Sequence, residues 1–364
     1  MKILILVNHE LTLYNFRQEL LKLLVSEGHE VVIAMPTGQY DGLFKEFGCR
    51  VVPVELSQHG MNPMKDFKLP GMYRKLMKKE QPDVVLTYTI KPNIYGGMAA
   101  GRCKLPCIST VTGLGSAFEK GSIISKISYM LYRLGTRKTA CIFFQNEGHS
   151  RLFAEHKVAV GRHCVVAGSG VNLQKHCFEE YPQGDDVRLM FVGRVTKDKG
   201  IDELIEAMKA VKEQAQVPVS LELLGNIEEG YEDVVASCEK EGLLVSHGRH
   251  DNVHDYVKTC SAVVLPSYHE GLANVLLEAA ACGRPVLASD INGCKETFEE
   301  GVSGLGFAAR DAQALTEVLL RFVAMPWQQR AEMGAAGRKK VEEEYDREKV
   351  NQTYLEKMKE LTGK

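Results

Sequence analysis

Short runs of β-branched and other apolar residues alternate along this chain with longer stretches whose apolar positions recur every three to four residues. Strands are predicted over 3–7, 30–34, 50–54, 83–87, 107–111, 141–144 and 164–166. These runs carry little polar alternation, which is the mark of strands buried on both faces of a parallel sheet. Helices are predicted between them, over 14–27, 70–79 and 146–155. The series then restarts, with strands over 188–192, 219–224, 262–265 and 285–288 and helices over 199–214, 231–240, 273–281 and 312–323. Two more helices are predicted near 327–344 and 346–361. Between the two series lies Gly168-Ser169-Gly170-Val171-Asn172, followed by a polar stretch to Asp186, and a linker is expected there. The pattern predicts an α/β protein of two open-sheet domains. Such sheets bind ligands at the carboxyl ends of their strands, so the loops that follow strands are where chemistry is sought.

The 364 residues suit two domains of about 150 residues each. With 45% apolar and 25% charged residues, the composition excludes a mainly disordered chain. No apolar run approaches the roughly 18 residues of a membrane span. The apolar stretch in residues 1–7 is too short for a signal peptide, so the chain is expected in the cytoplasm. Its 10 Cys form no CxxC pair, which predicts reduced core residues rather than a zinc knuckle or a disulfide framework. Charge is unevenly spread. Residues 1–170 hold 22 Lys and Arg against 13 Asp and Glu, a balance of +9, while the rest hold 23 against 34, a balance of −11. A basic half predicts an anionic partner such as a membrane surface, a phosphate or nucleic acid; unselected surface charge is the alternative.

Two strand-to-helix connections of the second series carry candidate chemistry. The first is Phe191-Val192-Gly193-Arg194-Val195-Thr196-Lys197-Asp198-Lys199-Gly200. Gly193 allows a close backbone turn, and Arg194 and Lys199 place two cations beside a predicted helix N-terminus, an arrangement that suits a diphosphate. The GxxxxGK[ST] loop is absent, and two solvated cations are the alternative. The second runs from Val264 to Ala279. Here the amides of Gly271, Leu272, Ala273 and Asn274 are expected to point over the sheet edge. Glu270 precedes the helix and Glu278 lies one to two turns inside it. A capping acid and a surface acid are the alternatives. Glu278, however, sits in Val-Leu-Leu-Glu-Ala-Ala-Ala-Cys, where a carboxylate wants a partner.

These stretches carry a resemblance. Glu270-x7-Glu278, with Pro266-Ser267 before it and Ala281-Cys282-Gly283-Arg284-Pro285-Val286 after it, closely resembles the signature of family-4 retaining glycosyltransferases. Gly193-Arg194 with Lys199-Gly200 matches that family's other block, and 168–172 is similar to its interdomain linker. The resemblance implies a GT-B fold, two Rossmann-like domains with parallel sheets facing across a cleft. The boundaries implied are an acceptor domain over 1–168, a nucleotide-sugar donor domain over 169–344, and a last helix over 345–364 crossing back to the first. It further implies that Arg194 and Lys199 hold the donor diphosphate and that Glu278 binds the ribose hydroxyls. Glu270 and the amides after it would meet the donor sugar. Gly225-Asn226 matches a family loop near the nucleotide, and Arg249 lies in the loop that borders the base.

The first domain narrows the class. Leu13-Tyr14-Asn15-Phe16-Arg17, Tyr88-Thr89-Ile90-Lys91-Pro92-Asn93-Ile94-Tyr95-Gly96 and Val111-Thr112-Gly113-Leu114-Gly115 resemble members that extend saccharides on polyprenyl diphosphate. Arg17 and Lys91 are placed on loops or helix starts after strands, where they would meet an acceptor phosphate; ordinary surface cations are the alternative. The chain departs from the family in lacking a Gly-rich loop after the first strand. It also has Thr112-Gly113 where some members place a His, which leaves His9 as the candidate histidine. Gly113-Leu114-Gly115-Ser116-Ala117-Phe118 is rejected as a dinucleotide fingerprint, because its third Gly and an acidic ribose anchor are missing.

Over 122–139, Ile123, Ile124, Ile127, Met130, Leu131 and Leu134 share a helical face flanked by Lys126, Arg133 and Arg137. An interfacial helix on anionic lipid is expected, with a core-packed helix as the alternative. The leading expectation is an enzyme, a hexosyl- or N-acetylhexosaminyltransferase that moves a sugar from a nucleotide sugar, expected to be a UDP-sugar, to a lipid-linked saccharide in glycan assembly. Glycosidases flank the bond with two carboxylates. No second acid is evident in the motifs of the first domain, so front-face substitution without a protein nucleophile is expected. No metal and no cofactor are expected, because two cations already neutralise the diphosphate. The partners expected are the donor, the lipid-linked acceptor and an anionic membrane surface on the inner face of the cell membrane, with no nucleic acid. A nucleotide-sugar epimerase or hydrolase, or a non-catalytic membrane-surface scaffold, is the competing reading.

Overall fold

The structure, a computed structural model, describes residues 1–56, 66–114, 118 and 123–364. Gly115, Ser116, Ala117 and Ser122, which belong to motifs named above, lie outside the described residues. The chain divides into two compact units, Met1–Ser169 with Glu348–Lys364 and Gly170–Arg347.

The described strands of the first unit form a parallel sheet in the order β3-β2-β1-β4-β5-β6-β7. They are β1 (Lys2–Leu6), β2 (Glu30–Met35), β3 (Arg50–Pro53), β4 (Val84–Tyr88), β5 (Cys107–Val111), β6 (Cys141–Phe144) and β7 (His163–Val165). β1, β4, β5 and β6 are buried almost throughout and largely apolar, as a sheet covered on both faces requires, with Thr87, Ser109 and Thr110 as buried hydroxyl exceptions. Sequence order reverses between β1 and β4. Helix Arg347–Thr362 packs here through Val350, Tyr354, Leu355 and Met358, which join the core around Ile3, Ile5 and Phe143.

The described strands of the second unit repeat the plan in the order β10-β9-β8-β11-β12-β13. They are β8 (Val187–Val192), β9 (Val219–Leu224), β10 (Leu244–Ser246), β11 (Ala262–Leu265), β12 (Val286–Ser289) and β13 (Gly304–Phe307). The reversal falls between β8 and β11. Both sheets are therefore Rossmann-like, and in each the crevice at the reversal is the expected ligand position.

Several local expectations are corrected. The helix predicted over 14–27 is two helices, Glu10–Phe16 and Gln18–Ser26, broken at Arg17, where φ is −137°. No Gly or Pro marks that break; the Arg17 side chain turns inward instead. Lys199 does not open an α-helix. It ends a single 3-10 turn, Lys197–Lys199, and left-handed Gly200 separates that turn from helix Ile201–Gln214. A Cβ on Gly200 would lie 2.1 Å from the Pro266 carbonyl oxygen, so only glycine lets the β8 loop press against the β11 loop. β10 and β13 were not predicted, being short and in part glycine.

Helix Ile123–Gly135 turns its apolar side away from the core. Its buried positions are Ser125, Ser128, Tyr129, Tyr132 and Gly135. Ile123, Ile124, Ile127, Met130 and Leu134 are exposed, Ile123 by 76%. Small and hydroxyl residues suit the inner side because the backbones approach closely: a Cβ on Gly135 would lie 2.6 Å from backbone atoms of Ile94.

Candidate functional site

Four loops meet at the carboxyl end of the second sheet. After β8, the Gly193 N–H donates to the Leu224 carbonyl at 2.9 Å and the Val195 N–H to the Asn226 carbonyl at 2.8 Å. This joins Gly193-Arg194 to Gly225-Asn226. A Cβ on Gly225 would lie 1.8 Å from the Gly193 carbonyl oxygen, so the two loops touch backbone to backbone. The Gly225 N–H in turn donates to the Gly248 carbonyl at 2.8 Å, which sets Arg249 beside this pair. After β11, the Tyr268 N–H donates to the Asp198 carbonyl at 2.9 Å.

Lys199 and Glu270 thereby face each other across the reversal between β8 and β11, Nζ to Oε1 at 2.5 Å. They are only 18% and 14% exposed, so the pair is screened far less than a surface one. Arg194 is more open and forms an ion pair with Glu228. Glu228 was missed in the sequence, although a carboxylate three residues past Gly225, on the loop beside a cation, was a legible signal. Arg249 is exposed and 3.4 Å from Asp251.

The amides after Glu270 are not all available. Ala273 caps helix Asn274–Ala281, and its own N–H donates to the Gly293 carbonyl at 2.7 Å. The expectation that 271–274 present a continuous row of open amides is corrected accordingly. Gly271, Leu272 and Ala273 are buried and Asn274 is half-buried.

Glu278 lies on the helix interior, 18% exposed, with His176 Nε2 at 3.9 Å. Among the described residues no donor reaches its carboxylate within hydrogen-bond distance. Burial raises its pKa above the ordinary 4.5, and the positive charges of Arg347 and Lys175 oppose that rise. The helix itself is held at its carboxyl end by Arg338, whose Nη1 donates to the carbonyls of Ala281 at 2.7 Å and His176 at 3.0 Å. His176 was missed, since nothing in its spacing connects it to Glu278.

The first sheet places its candidates at the other reversal. His9 follows β1 and caps helix Glu10–Phe16, its Nδ1 accepting from the Leu11 N–H at 3.1 Å. Beside it, Thr89 follows β4 and donates from Oγ1 to Asn8 Oδ1 at 2.7 Å, with φ at +72°. A β-branched residue in the left-handed region costs about 1–3 kcal/mol and marks a place the surrounding fold over-determines.

Arg17 is neither on an open loop nor at the surface. It is 1% exposed, with its guanidinium 5.3 Å from the Tyr88 ring centroid and 5.2 Å from that of Tyr354. Its donors reach the Phe16 carbonyl at 3.1 Å and the Tyr354 hydroxyl at 3.4 Å, and no carboxylate among the described residues pairs with it. A buried cation held by two rings and no anion is suited to receive one. Lys91 contrasts with it. It is buried and lies 3.2 Å from Asp66 Oδ1, so its charge is neutralised inside the fold and it is not placed as an open phosphate contact.

Residues 2–146 match the family "Glycosyl transferase 4-like", and residues 174–340 match "Glycosyl transferases group 1". The chain is similar to the N,N'-diacetylbacillosaminyl-diphospho-undecaprenol alpha-1,3-N-acetylgalactosaminyltransferase of Campylobacter jejuni, 26% identical over 84% of this chain and 85% of that protein. It is also similar to the UDP-Gal:alpha-D-GlcNAc-diphosphoundecaprenol alpha-1,3-galactosyltransferase of Escherichia coli, 28% identical over 71% and 70% of the two chains. Among solved structures, Anabaena HepE in complex with UDP and glucose superposes with a TM-score of 0.78 at 17% identity, over 98% of this chain and 99% of that one. A glycosyltransferase from Rickettsia africae superposes with a TM-score of 0.81 at 16% identity, over 99% and 98%. Family matches over both units, on two Rossmann-like sheets of the GT-B type, mean that this chain belongs to the glycosyltransferases, with a family-4-like first domain and a group 1 second domain.

Proposed function

We propose that this glycosyltransferase moves a hexose or N-acetylhexosamine from a UDP-sugar to a saccharide carried on polyprenyl diphosphate, at the inner face of the cell membrane. The observation that carries the donor side is the Lys199–Glu270 pair across the β8/β11 reversal, with Arg194 on the same β8 loop as Lys199. The diphosphate displaces the carboxylates from Arg194 and Lys199. Both cations then neutralise charge that grows on the leaving group. Glu270 is freed toward the donor sugar, and Glu278 accepts from the ribose hydroxyls. Gly193, Gly225 and Asn226 line the nucleotide, Arg249 borders the base, and Leu272 and Asn274 flank the sugar.

In the transfer, the acceptor hydroxyl oxygen bonds to C1 of the sugar on the face from which the diphosphate departs. The C1–O bond to the phosphate breaks, and the hydroxyl proton passes to the departing phosphate oxygen. No divalent ion is needed for this step, so the rate is expected to be the same with added Mg²⁺ or with chelator. Arg17, at the carboxyl end of helix Glu10–Phe16, receives the acceptor's diphosphate, and His9 caps the other end of that helix.

The relatives' printed substrates support a lipid-linked acceptor, as does the outward apolar side of helix Ile123–Gly135. Exposed Lys126, Arg133 and Arg137 flank that side. A groove of about 290 Å³, lined by Arg102, Arg137, Lys138, Gly97, Gly101 and Leu134, adjoins it. Among the described residues no helix is long and apolar enough to cross a membrane, so a surface attachment is what the proposal requires. Each cation near an anionic bilayer contributes on the order of 1 kcal/mol, screened by salt.

The test is a panel of nucleotide sugars ranked by thermal shift, then by transfer to a polyprenyl-diphosphate saccharide. Consumption of donor at the same rate without acceptor would sink the transferase reading. Replacing Lys126, Arg133 and Arg137 together with Gln is expected to reduce binding to anionic vesicles while sparing donor binding. Equal sedimentation with neutral and anionic vesicles would refute the membrane assignment.

A further inference from the structure

Outside the donor residues, three side chains of different chemistry converge where the segment after the linker crosses helix Val253–Val257. Cys177 Sγ lies 3.6 Å from His254 Nε2 and 3.6 Å from Glu179 Oε1, and His254 Nε2 lies 3.2 Å from Glu179 Oε1. These three edges can be compared with a coordination polyhedron. A tetrahedral zinc ion with Zn–S of about 2.3 Å and Zn–N and Zn–O of about 2.0–2.1 Å separates its ligands by about 3.5 Å for S···N and S···O and about 3.3 Å for N···O. The observed triangle has that shape. As hydrogen bonds, the Cys177 thiol and an Nε2 proton can each reach Glu179 Oε1, but no proton is then left for the Sγ to Nε2 edge, whereas one shared ion accounts for all three edges.

The other ring nitrogen completes the pattern. His254 Nδ1 lies 3.5 Å from Cys282 Sγ, so an Nδ1 proton directed at that sulfur leaves the Nε2 lone pair facing Cys177 and Glu179. Metal-bound histidines are held in this way by a contact on the nitrogen that does not bind. The backbone behind the triad is also fixed. Fully buried Arg284 donates to the carbonyls of Glu179 at 2.9 Å, Glu180 at 2.8 Å and Lys258 at 2.6 Å, and also to those of Cys282 and Gly283. It thus clamps the ligand-bearing segment against the ends of two helices. Gly283 adopts φ +76°, and a Cβ there would lie 2.7 Å from the ring of Phe178, which stands between two of the ligands.

We propose that Cys177, Glu179 and His254 bind one zinc(II) ion, with water in the fourth position, and that the ion staples residues 177–179 to helix Val253–Val257. Binding releases the Cys177 thiol proton to solvent, so affinity falls as pH falls. None of the residues assigned to the transfer reaction takes part.

The test uses the full chain, reduced and freed of metal, titrated with cobalt(II) as a spectroscopic stand-in and then with zinc(II). One cobalt per chain is expected, with the d–d bands of a four-coordinate ion and a thiolate-to-cobalt charge-transfer band that zinc displaces. Among the described cysteines Cys177 is the exposed one, so Cys177→Ser keeps the core intact and is expected to abolish that band. Glu179→Gln is expected to weaken zinc binding at least tenfold, and zinc is expected to raise the melting temperature of the wild type but not of Cys177→Ser. UDP affinity in Cys177→Ser is expected to match the wild type, which keeps this result separate from the fate of the donor assignment. A six-coordinate cobalt spectrum without a thiolate band, or zinc affinity in Cys177→Ser within twofold of the wild type, would overturn the proposal.

Discussion

Replacing Glu278 with Gln separates a residue kept for the fold from one kept for a ligand. The carboxylate is 18% exposed on a helix that after Asn274 is otherwise Val, Leu and Ala, and among the described residues its ion-pair contact is His176 at 3.9 Å. Burial raises its pKa above 4.5. The sign follows from that direction. Above 4.5 the folded protein holds a proton that the unfolded chain releases, so stability falls as pH rises through the window up to the raised value. Near neutrality the ionised group is a burden on the fold, and Glu278→Gln is expected to leave the melting temperature unchanged or higher. Donor binding goes the other way. A hydrogen bond to a charged group contributes about 1.5–3 kcal/mol, so losing the carboxylate is expected to raise the donor KM about 10- to 150-fold, at the lower end because the amide oxygen still accepts. Turnover at saturating donor is expected to change little, because ribose contacts are the same in ground and transition states. Wild-type UDP affinity is expected to decline as pH falls through the raised value, a limb that the variant lacks. Calorimetric UDP titration across pH, with thermal melts, reads both quantities. A destabilised variant with wild-type UDP affinity would refute the assignment and make Glu278 a partner of His176 and Arg347 in the fold.

Arg194→Ala and Lys199→Ala are each expected to lower kcat/KM by well over tenfold without unfolding the protein, since each removes a charge-assisted contact to a group that gains charge as the bond breaks; steady-state kinetics with a melt as control decides it. Glu228→Gln is expected to tighten UDP binding by up to about fivefold, because a half-exposed pair is worth at most about 1 kcal/mol and its removal leaves Arg194 open to phosphate; weaker binding would show that Glu228 contacts the donor itself. Arg17→Met is expected to keep or raise the melting temperature, as a buried cation without a carboxylate is replaced by a side chain of similar length, while the KM for a diphosphate-linked acceptor rises and donor KM does not. A collapse in stability would make Arg17 a packing residue.

The two-domain α/β organisation was legible because buried parallel strands read as apolar runs, and β1 and β6 carry one polar residue between them, Lys2. Strands that depend on neighbours more than on their own residues were not legible: β10 is three residues long, and two of the four residues of β13 are Gly. The donor loops could be located from the sequence because glycine, cation and carboxylate sit at fixed offsets from strand ends. Which charge faces which could not, since that depends on how the loops after β8, β9 and β11 lie against one another. Arg17 shows the limit most clearly. As a letter it is a cation near a helix, and only the ring of Tyr354, 337 positions away, reveals that it is buried. Helix Ile123–Gly135 shows the converse. Its apolar periodicity and basic flank were legible and point outward, toward lipid; the physical cause was not, because it is the close backbone approach at Gly135 that puts Ser and Tyr inward.

On the proposed reading, the donor site is charge-balanced by its own carboxylates rather than a bare cationic hole. Lys199 is held by Glu270 and Arg194 by Glu228, so each cation has a carboxylate to leave when a diphosphate arrives and to return to when it departs. The exchange lowers net ground-state affinity, because the carboxylates compete with the incoming phosphates. It does not lower transition-state affinity equally, since the departing diphosphate carries more negative charge than the bound donor and wins that competition by a wider margin. The same competition then assists release of the nucleoside diphosphate, a step that often limits turnover. The two pairs are not equivalent. Lys199–Glu270 is mostly buried, so its exchange couples the diphosphate to the carboxylate that faces the sugar. Arg194–Glu228 is open to solvent and mainly adjusts affinity. The coupling of chemistry to donor binding is therefore expected to run through the buried pair. Its signature is a double-mutant cycle in which Lys199→Ala and Glu270→Gln fail to add in kcat, whereas Arg194→Ala and Glu270→Gln add.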